Sequence, residues 1–211
     1  MGELTAIDIL INPDETMLSR AKAANQKMLA SAPQGFELDE HHQPHITTLQ
    51  RYVRTADLDQ VFDAVKKTID GMDMRKLEFS AEKLAHMETE PGVGLTAIVV
   101  SPGPEVLDFQ AQLIDAVKPH AGNGGTADSY VRTEAEPDIN DATLKYVEGY
   151  VPDHSGPNFV AHVTVGLAKL DDLKEIEAEP FDKFTFSPAG VSVYQLGNNG
   201  TAAKQLTTWS V

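Results

Sequence analysis

The sequence predicts an α+β fold with antiparallel sheets. Three observations lead there. Strand-like and helix-like segments mix without a strict βαβ rhythm. Their order is roughly duplicated: strand, helix, strand, helix, strand, and then again strand, helix, strand, helix and strands. The tail Lys204–Val211 alternates apolar and polar residues and follows an Asn198-Asn199-Gly200 turn, as the last strand of a hairpin does.

Taken in order, Leu4–Ile11 is the first strand, with the apolar body Ala6-Ile7-Asp8-Ile9-Leu10-Ile11. Asn12-Pro13-Asp14 ends it and opens a helix from 14 to about 31, in which Met17, Leu18, Ala21, Ala24, Met28 and Leu29 recur at helical spacing. Ala32-Pro33-Gln34-Gly35 stops the helix. The polar loop Asp39-Glu40-His41-His42-Gln43-Pro44 then leads into a strand over His45–Val53. Thr55 and Asp57 are N-cap candidates for the next helix, with Leu58, Val61, Phe62, Val65 and Ile69 as its apolar stripe and Gly71 as its end. Strands are predicted over Leu77–Met87 and Leu95–Val100, separated by the turn residues Glu90-Pro91-Gly92-Val93-Gly94. A helix from about 105 to 118 carries Val106, Phe109, Leu113, Ile114 and Val117 on one side.

Residues 120–158 are irregular, with a weak helix near Asp141–Gly149. A long insertion before a strand that carries chemistry reads as a lid or substrate-selecting segment. Phe159–Leu167 is a strand, Asp171–Glu177 a short acidic helix, and Phe181–Ser187 and Val191–Leu196 two further strands.

Composition bounds the function. The 211 residues are 41% hydrophobic, enough for one domain with a real core. There is no apolar run near 18 residues, so no membrane span is expected. Met1-Gly2-Glu3-Leu4-Thr5 has no basic region followed by an apolar stretch, so no signal peptide is expected either. The chain has no Cys, which removes disulfides, thiolate metal sites and Cys nucleophiles and fits a cytoplasmic protein. Seventeen basic against 32 acidic residues give a net charge of −15. A long polyanion is disfavoured by that charge, because nucleic-acid affinity comes from neutralising many phosphates; a small anion in a local pocket is not. No basic block is longer than Lys66-Lys67.

Two stretches carry the chemistry. Pro44-His45-Ile46-Thr47-Thr48-Leu49 and Ala161-His162-Val163-Thr164-Val165-Gly166 each place His-x-Thr in an apolar, β-branched run. Side chains alternate along a strand, so His45 and Thr47 share one face, and His162 and Thr164 share another. The two histidines are 162 − 45 = 117 residues apart, one in each half. Two imidazoles across a cleft can supply a general base and a general acid, and two hydroxyls can hold a phosphate. Arg51 is 51 − 45 = 6 residues beyond His45, an even separation that aims it at the same face if the strand stays regular. By the same parity Arg54 points away. Tyr52, Tyr150 and Tyr194 are further candidates to reach substrate.

Other patterns are weaker. His41 and His42 near His45 lack the carboxylates of a metal site. Asp138-Ile139-Asn140-Asp141 lacks the Gly and terminal Glu of a calcium loop, and Gly122-Asn123-Gly124-Gly125 is followed by neither Lys-Ser nor Lys-Thr. His86, His120 and His154 read as surface or loop residues. No metal ligand and no cofactor is assigned.

The paired His-x-Thr motifs resemble those of the two-histidine phosphoesterases, the superfamily of the 2′-5′ RNA ligase-like proteins and cyclic nucleotide phosphodiesterases. Leu49-Gln50-Arg51-Tyr52-Val53, Val165-Gly166-Leu167 and Val193-Tyr194-Gln195-Leu196-Gly197 extend the likeness, while residues 120–158 have no counterpart. Ala161 stands where members usually carry Pro. The resemblance implies one bilobal domain over 1–211: two pseudo-symmetric lobes of antiparallel sheet, with flanking helices, around a central cleft. It implies a metal-independent phosphodiesterase, acting as a monomer on small cyclic-phosphate nucleotides or short oligonucleotides, with His45, Thr47, His162 and Thr164 as catalytic residues. The alternatives are a 2′-5′ RNA ligase or RNA end-processing enzyme, and a non-catalytic nucleotide sensor. Which histidine is acid and which is base stays open at this level.

Overall fold

A computed structural model describes residues 3–39, 42–134 and 137–211. The reading of the N-terminus at Met1-Gly2, and that of Glu40 and His41 in the loop before the first motif, lie outside the described residues. The elements are β1 (Leu4–Pro13), α1 (Glu15–Ser31), β2 (Ile46–Arg54), α2 (Leu58–Asp70), β3 (Phe79–Glu90), β4 (Val93–Pro102), α3 (Pro104–Val117), α4 (Asp141–His154), β5 (His162–Lys169), α5 (Leu170–Ala178), β6 (Phe184–Phe186), β7 (Pro188–Leu196) and β8 (Ala202–Ser210). They form an α+β fold of two four-stranded antiparallel sheets, ordered β2-β1-β7-β8 and β5-β4-β3-β6. Among the described residues no helix is long and apolar enough to cross a membrane.

The duplication read from the sequence is present, and it is crossed. β3, from the first half, pairs with β4, and β7, from the second half, pairs with β1. The helices cross as well. α1 follows β1 of the first sheet but hydrogen-bonds to β5 of the second; α3 follows β4 of the second sheet but hydrogen-bonds to β2 of the first. Each motif strand is the edge of its sheet, and at the far end of β2 Val53 makes an isolated bridge to Ala121.

The main core is shared by both sheets. Ile7, Ile9 and Ile11 of β1 share one buried cluster with Val61 and Val65 of α2, Phe109 and Leu113 of α3, and Ile98 and Val163 of the other sheet. The opposite face of β1 and β2 carries a smaller cluster, in which Ala6, Tyr52 and Leu196 pack on Tyr130, Ile139 and Val147. The described residues of the 120–158 stretch are tied to this sheet. Arg54 donates to the carbonyls of Pro119 and Ala121, Gly122 N–H to Tyr52, and Gln195 to Ser129. At Gly125 a Cβ would stand 2.1 Å from the Tyr52 ring, so only glycine allows this close approach.

Some boundaries differ from the sequence reading. α4 runs on past Gly149 to His154 with Pro152 inside it, and its start is capped by Asn140, whose side chain accepts from Thr143 N–H at 2.8 Å. The strand expected over Phe181–Ser187 shrinks to Phe184–Phe186, because only those residues find partners, Phe79–Ala81 of β3.

Candidate active site

His45 lies just before β2 and His162 opens β5. Each ring is held in the same way. Nδ1 of His45 is 2.8 Å from the Gln43 carbonyl, and Nδ1 of His162 is 2.8 Å from the Val160 carbonyl. A carbonyl only accepts, so Nδ1 carries the proton in each neutral ring, and Nε2 is left as the proton-accepting position. Two residues on, Thr47 and Thr164 are both half-buried.

Both motif strands then carry a β-bulge at the same place. On β2, Thr47 pairs with Leu10 and Leu49 with Ile9, leaving Thr48 as the extra residue. On β5, Thr164 pairs with Ala97 and Gly166 with Thr96, leaving Val165 as the extra residue. A bulge frees backbone groups from the ladder. Here buried amides take up the freed carbonyls: Gln110 of α3 donates to Thr48 O at 3.0 Å, and Asn25 of α1 donates to Val165 O at 2.8 Å. Leaving such a buried carbonyl without a donor costs about 1–3 kcal/mol. Gly166, at φ 143°, sits against α1, where a Cβ would lie 3.0 Å from both Asn25 Nδ2 and Met28 Cβ.

The two halves differ in their electrostatics. Next to Thr47 lies Asp8, fully buried on β1. Thr47 Oγ1 donates to Asp8 Oδ2 at 2.8 Å and Gln50 Nε2 donates to the same oxygen at 3.2 Å. Among the described residues, Asp8 Oδ1 and Gln50 Oε1 are buried without a hydrogen-bond partner. Burial pushes the Asp8 carboxyl above its ordinary range, partly offset by His45 and by the bonds from Thr47 and Gln50. The matching position on β4, by the bulge-corrected register, is Leu95. His162 is open to solvent yet surrounded by protein. Desolvation lowers its pKa below the ordinary imidazole value, the bond to Val160 O opposes that, and the nearby charge of His45 adds to the lowering. The two imidazoles are thus within electrostatic reach of each other.

The structure sorts the substrate-binding candidates. Arg51 does not share a face with Thr47. The bulge at Thr48 breaks the alternation, so Arg51 pairs with Ile7 on the core side of the sheet, while Thr47, Gln50 and Tyr52 lie on the other. Arg54 regains the parity of Thr47 but is spent on Asp57 and on the carbonyls of Pro119 and Ala121. Tyr52 is buried, and its hydroxyl lies 2.6 Å from that of Tyr130. Tyr150 is buried too, edge-on to Tyr146. Tyr194 pairs across the ladder with Asp8, half-buried, and donates its hydroxyl to Gln205 at 2.9 Å.

Sequence reasoning does not single out Asp8, Gln50 or Tyr146. Tyr146 of α4 is exposed, stacks on His154 at 4.3 Å, and feels the charge of Asp8, as does Tyr150. The signal for Asp8 is present: one acid inside the apolar run of β1. His42 stacks on Phe36 at 4.8 Å, His86 pairs with Glu177 at 2.6 Å, and His120 with Asp57 at 3.2 Å. Among the described residues no group of three or more His, Cys, Asp or Glu is placed to hold a metal. A surface hollow of about 400 Å³ lined by His86, Gly92, Lys169, Leu170, Asp171 and Lys174 lies at the opposite end of β5 from His162.

No family model and no curated protein matches the chain. Solved structures do. The crystal structure of TT0787 of Thermus thermophilus is 13% identical and aligns over 98% of this chain and 97% of its own, with a TM-score of 0.56. The fold is shared. Usb1 of Kluyveromyces marxianus with uridine monophosphate (9% identical, 99% of each chain, TM-score 0.48) and E. coli LigT complexed with ATP (10%, 100% and 99%, TM-score 0.45) are more distant. The two-sheet α+β architecture implied by the two-histidine resemblance is the one found.

Proposed function

We propose that this chain is a phosphodiesterase of the two-histidine superfamily, opening a 2′,3′-cyclic phosphate or a related small nucleotide diester. One observation carries the reading. Two His-x-Thr motifs, 117 residues apart, stand on the edge strands of two sheets with the same ring-to-carbonyl bond and the same bulge behind them. A matched pair of imidazoles with free Nε2 atoms is the arrangement that general acid–base catalysis needs.

The asymmetry supports one assignment of the roles. His162 is held toward its neutral form, so it acts as the base, taking a proton from water through Nε2. The water oxygen bonds to phosphorus as the bond to the ribose oxygen breaks. Protonated His45 gives its Nε2 proton to that leaving oxygen. Thr164, and Thr47 when its hydroxyl turns from Asp8, donate to the non-bridging oxygens, where charge gathers in the transition state. Both proton transfers are done by side chains of this chain, so the mechanism assigns no step to a metal. Residues 120–158, with Tyr146 near Asp8, act as the substrate-selecting segment. The net charge of −15 and the turning of Arg51 to the core side support a small substrate over a long RNA.

The test is a turnover screen of 2′,3′-cyclic mononucleotides, ADP-ribose cyclic phosphate, 2′-5′ oligomers and cyclic oligonucleotides, with intact tRNA alongside. Turnover of the small cyclic phosphates in excess chelator supports the reading. Higher efficiency on tRNA moves the function to RNA end processing, and binding without turnover moves it to a sensor.

A further inference from the structure

Asn25 and Gln110 are buried, at 2% and 1% exposure, and each is bonded at both ends of its amide. Asn25 Nδ2 donates to Val165 O at 2.8 Å, behind the second motif, and to Phe36 O at 3.0 Å; its Oδ1 accepts Leu38 N–H at 3.3 Å. Phe36 and Leu38 lie in the stretch between α1 and β2 that precedes His45. Gln110 Nε2 donates to Thr48 O at 3.0 Å, behind the first motif, and its Oε1 accepts Gly156 N–H at 2.8 Å. Gly156 belongs to the segment that delivers His162. Each amide therefore ties the bulge of one motif to the approach of the other. The two ties are related by the same pseudo-symmetry as the motifs themselves.

We infer that Asn25 and Gln110 are a crossed pair of positioning residues that fix the separation of the two imidazoles. The inference rests on the proposed two-histidine chemistry for its consequence, but its geometry stands apart from it. An amide side chain is short and has both a donor and an acceptor, so it can hold two backbone segments at a set distance. A catalytic pair needs that: a misplacement near 1 Å can cost about 10²-fold in rate. Each helix carrying a tie comes from the opposite sheet. A shift of one sheet against the other is thus resisted at both motifs together.

The test uses the full chain. Asn25→Leu and Gln110→Leu remove both arms at similar volume; should either fail to fold, Asn25→Ser and Gln110→Asn keep a polar group too short to span both partners. The first readout is the imidazole NMR signals of His45 and His162 in the free protein. The crossed tie predicts that each single variant moves both signals, the near one and the one on the other motif. A local packing role moves only the signal of the bonded strand: His162 for Asn25, His45 for Gln110. The second readout is turnover of a 2′,3′-cyclic mononucleotide. kcat is expected to fall about 10- to 100-fold with KM little changed, and the double variant to cost less than the product of the singles. One signal moving, or neither, overturns the inference, as does an unchanged kcat in a folded variant of an active protein. If the parent turns over no substrate, the proposed function fails, and the NMR readout alone decides the inference.

Discussion

Thr47 donates its hydroxyl proton to Asp8 at 2.8 Å, whereas the residue of β4 that matches Asp8 is Leu95, which offers Thr164 no carboxylate. Two motifs that match in backbone geometry thus differ in what their hydroxyls can do. Thr164 is free to donate to a phosphate; Thr47 has a competing acceptor.

The two threonines are therefore predicted to be unequal. Thr164→Ala should lower kcat on the order of 10²-fold, as loss of one oxyanion donor does, with little change in melting temperature. Thr47→Ala should cost less in kcat and more in stability, because it removes a bond from a buried carboxyl. Kinetics and thermal melts of both variants check this. Equal kcat losses would contradict the asymmetry.

Asp8 makes a prediction about stability and pH. Burial raises its folded pKa above the ordinary 3.8. Between those two values the folded chain keeps a proton that the unfolded chain has lost, so its contribution to stability falls as pH rises through that window. Asp8→Asn removes this titration. Its denaturation midpoint should match that of the parent below pH 3.8 and exceed it above that, by an amount that grows until the pH passes the raised folded-state value and then stays constant. A variant less stable than the parent at pH 7 would show that the ionised carboxylate is needed.

His162, as the base, must be neutral to act. Its lowered pKa places the acid limb of the kcat/KM profile below the ordinary imidazole value of 6.5. A limb above 6.5 would contradict the assignment of His162 as base.

Arg51→Ala should leave KM for a cyclic mononucleotide unchanged and lower stability through lost packing on the core side of β2. A raised KM with unchanged stability would place Arg51 at the phosphate after all.

Much of this is legible in the sequence. The two motifs, the duplicated order and the antiparallel α+β class follow from residue type and spacing. The facing of Arg51 does not, because parity counting assumes an unbroken ladder and β2 has a bulge. The trace of it lies in the core residues: Ile46 and Leu49 are three apart on one strand, and so are Val165 and Ala168 on the other, yet each pair is buried in the same core. An odd spacing on one face is what a bulge produces. The crossing of strands and helices between sheets cannot be read, since it depends on contacts between residues far apart in the chain. Tyr52 and Tyr150 look available because tyrosine often has one wet end; here α4 and the segment before it cover Tyr52, and Tyr150, itself on α4, is turned into the main core.

The most direct test of the two-histidine chemistry is the rate of 2′,3′-cyclic mononucleotide hydrolysis by His45→Ala and by His162→Ala, each checked for native circular dichroism. Each substitution alone is predicted nearly to abolish turnover, on the order of 10²–10⁴-fold, and the double variant to fall far short of the product of the two. A folded single variant that keeps the parent rate would contradict it.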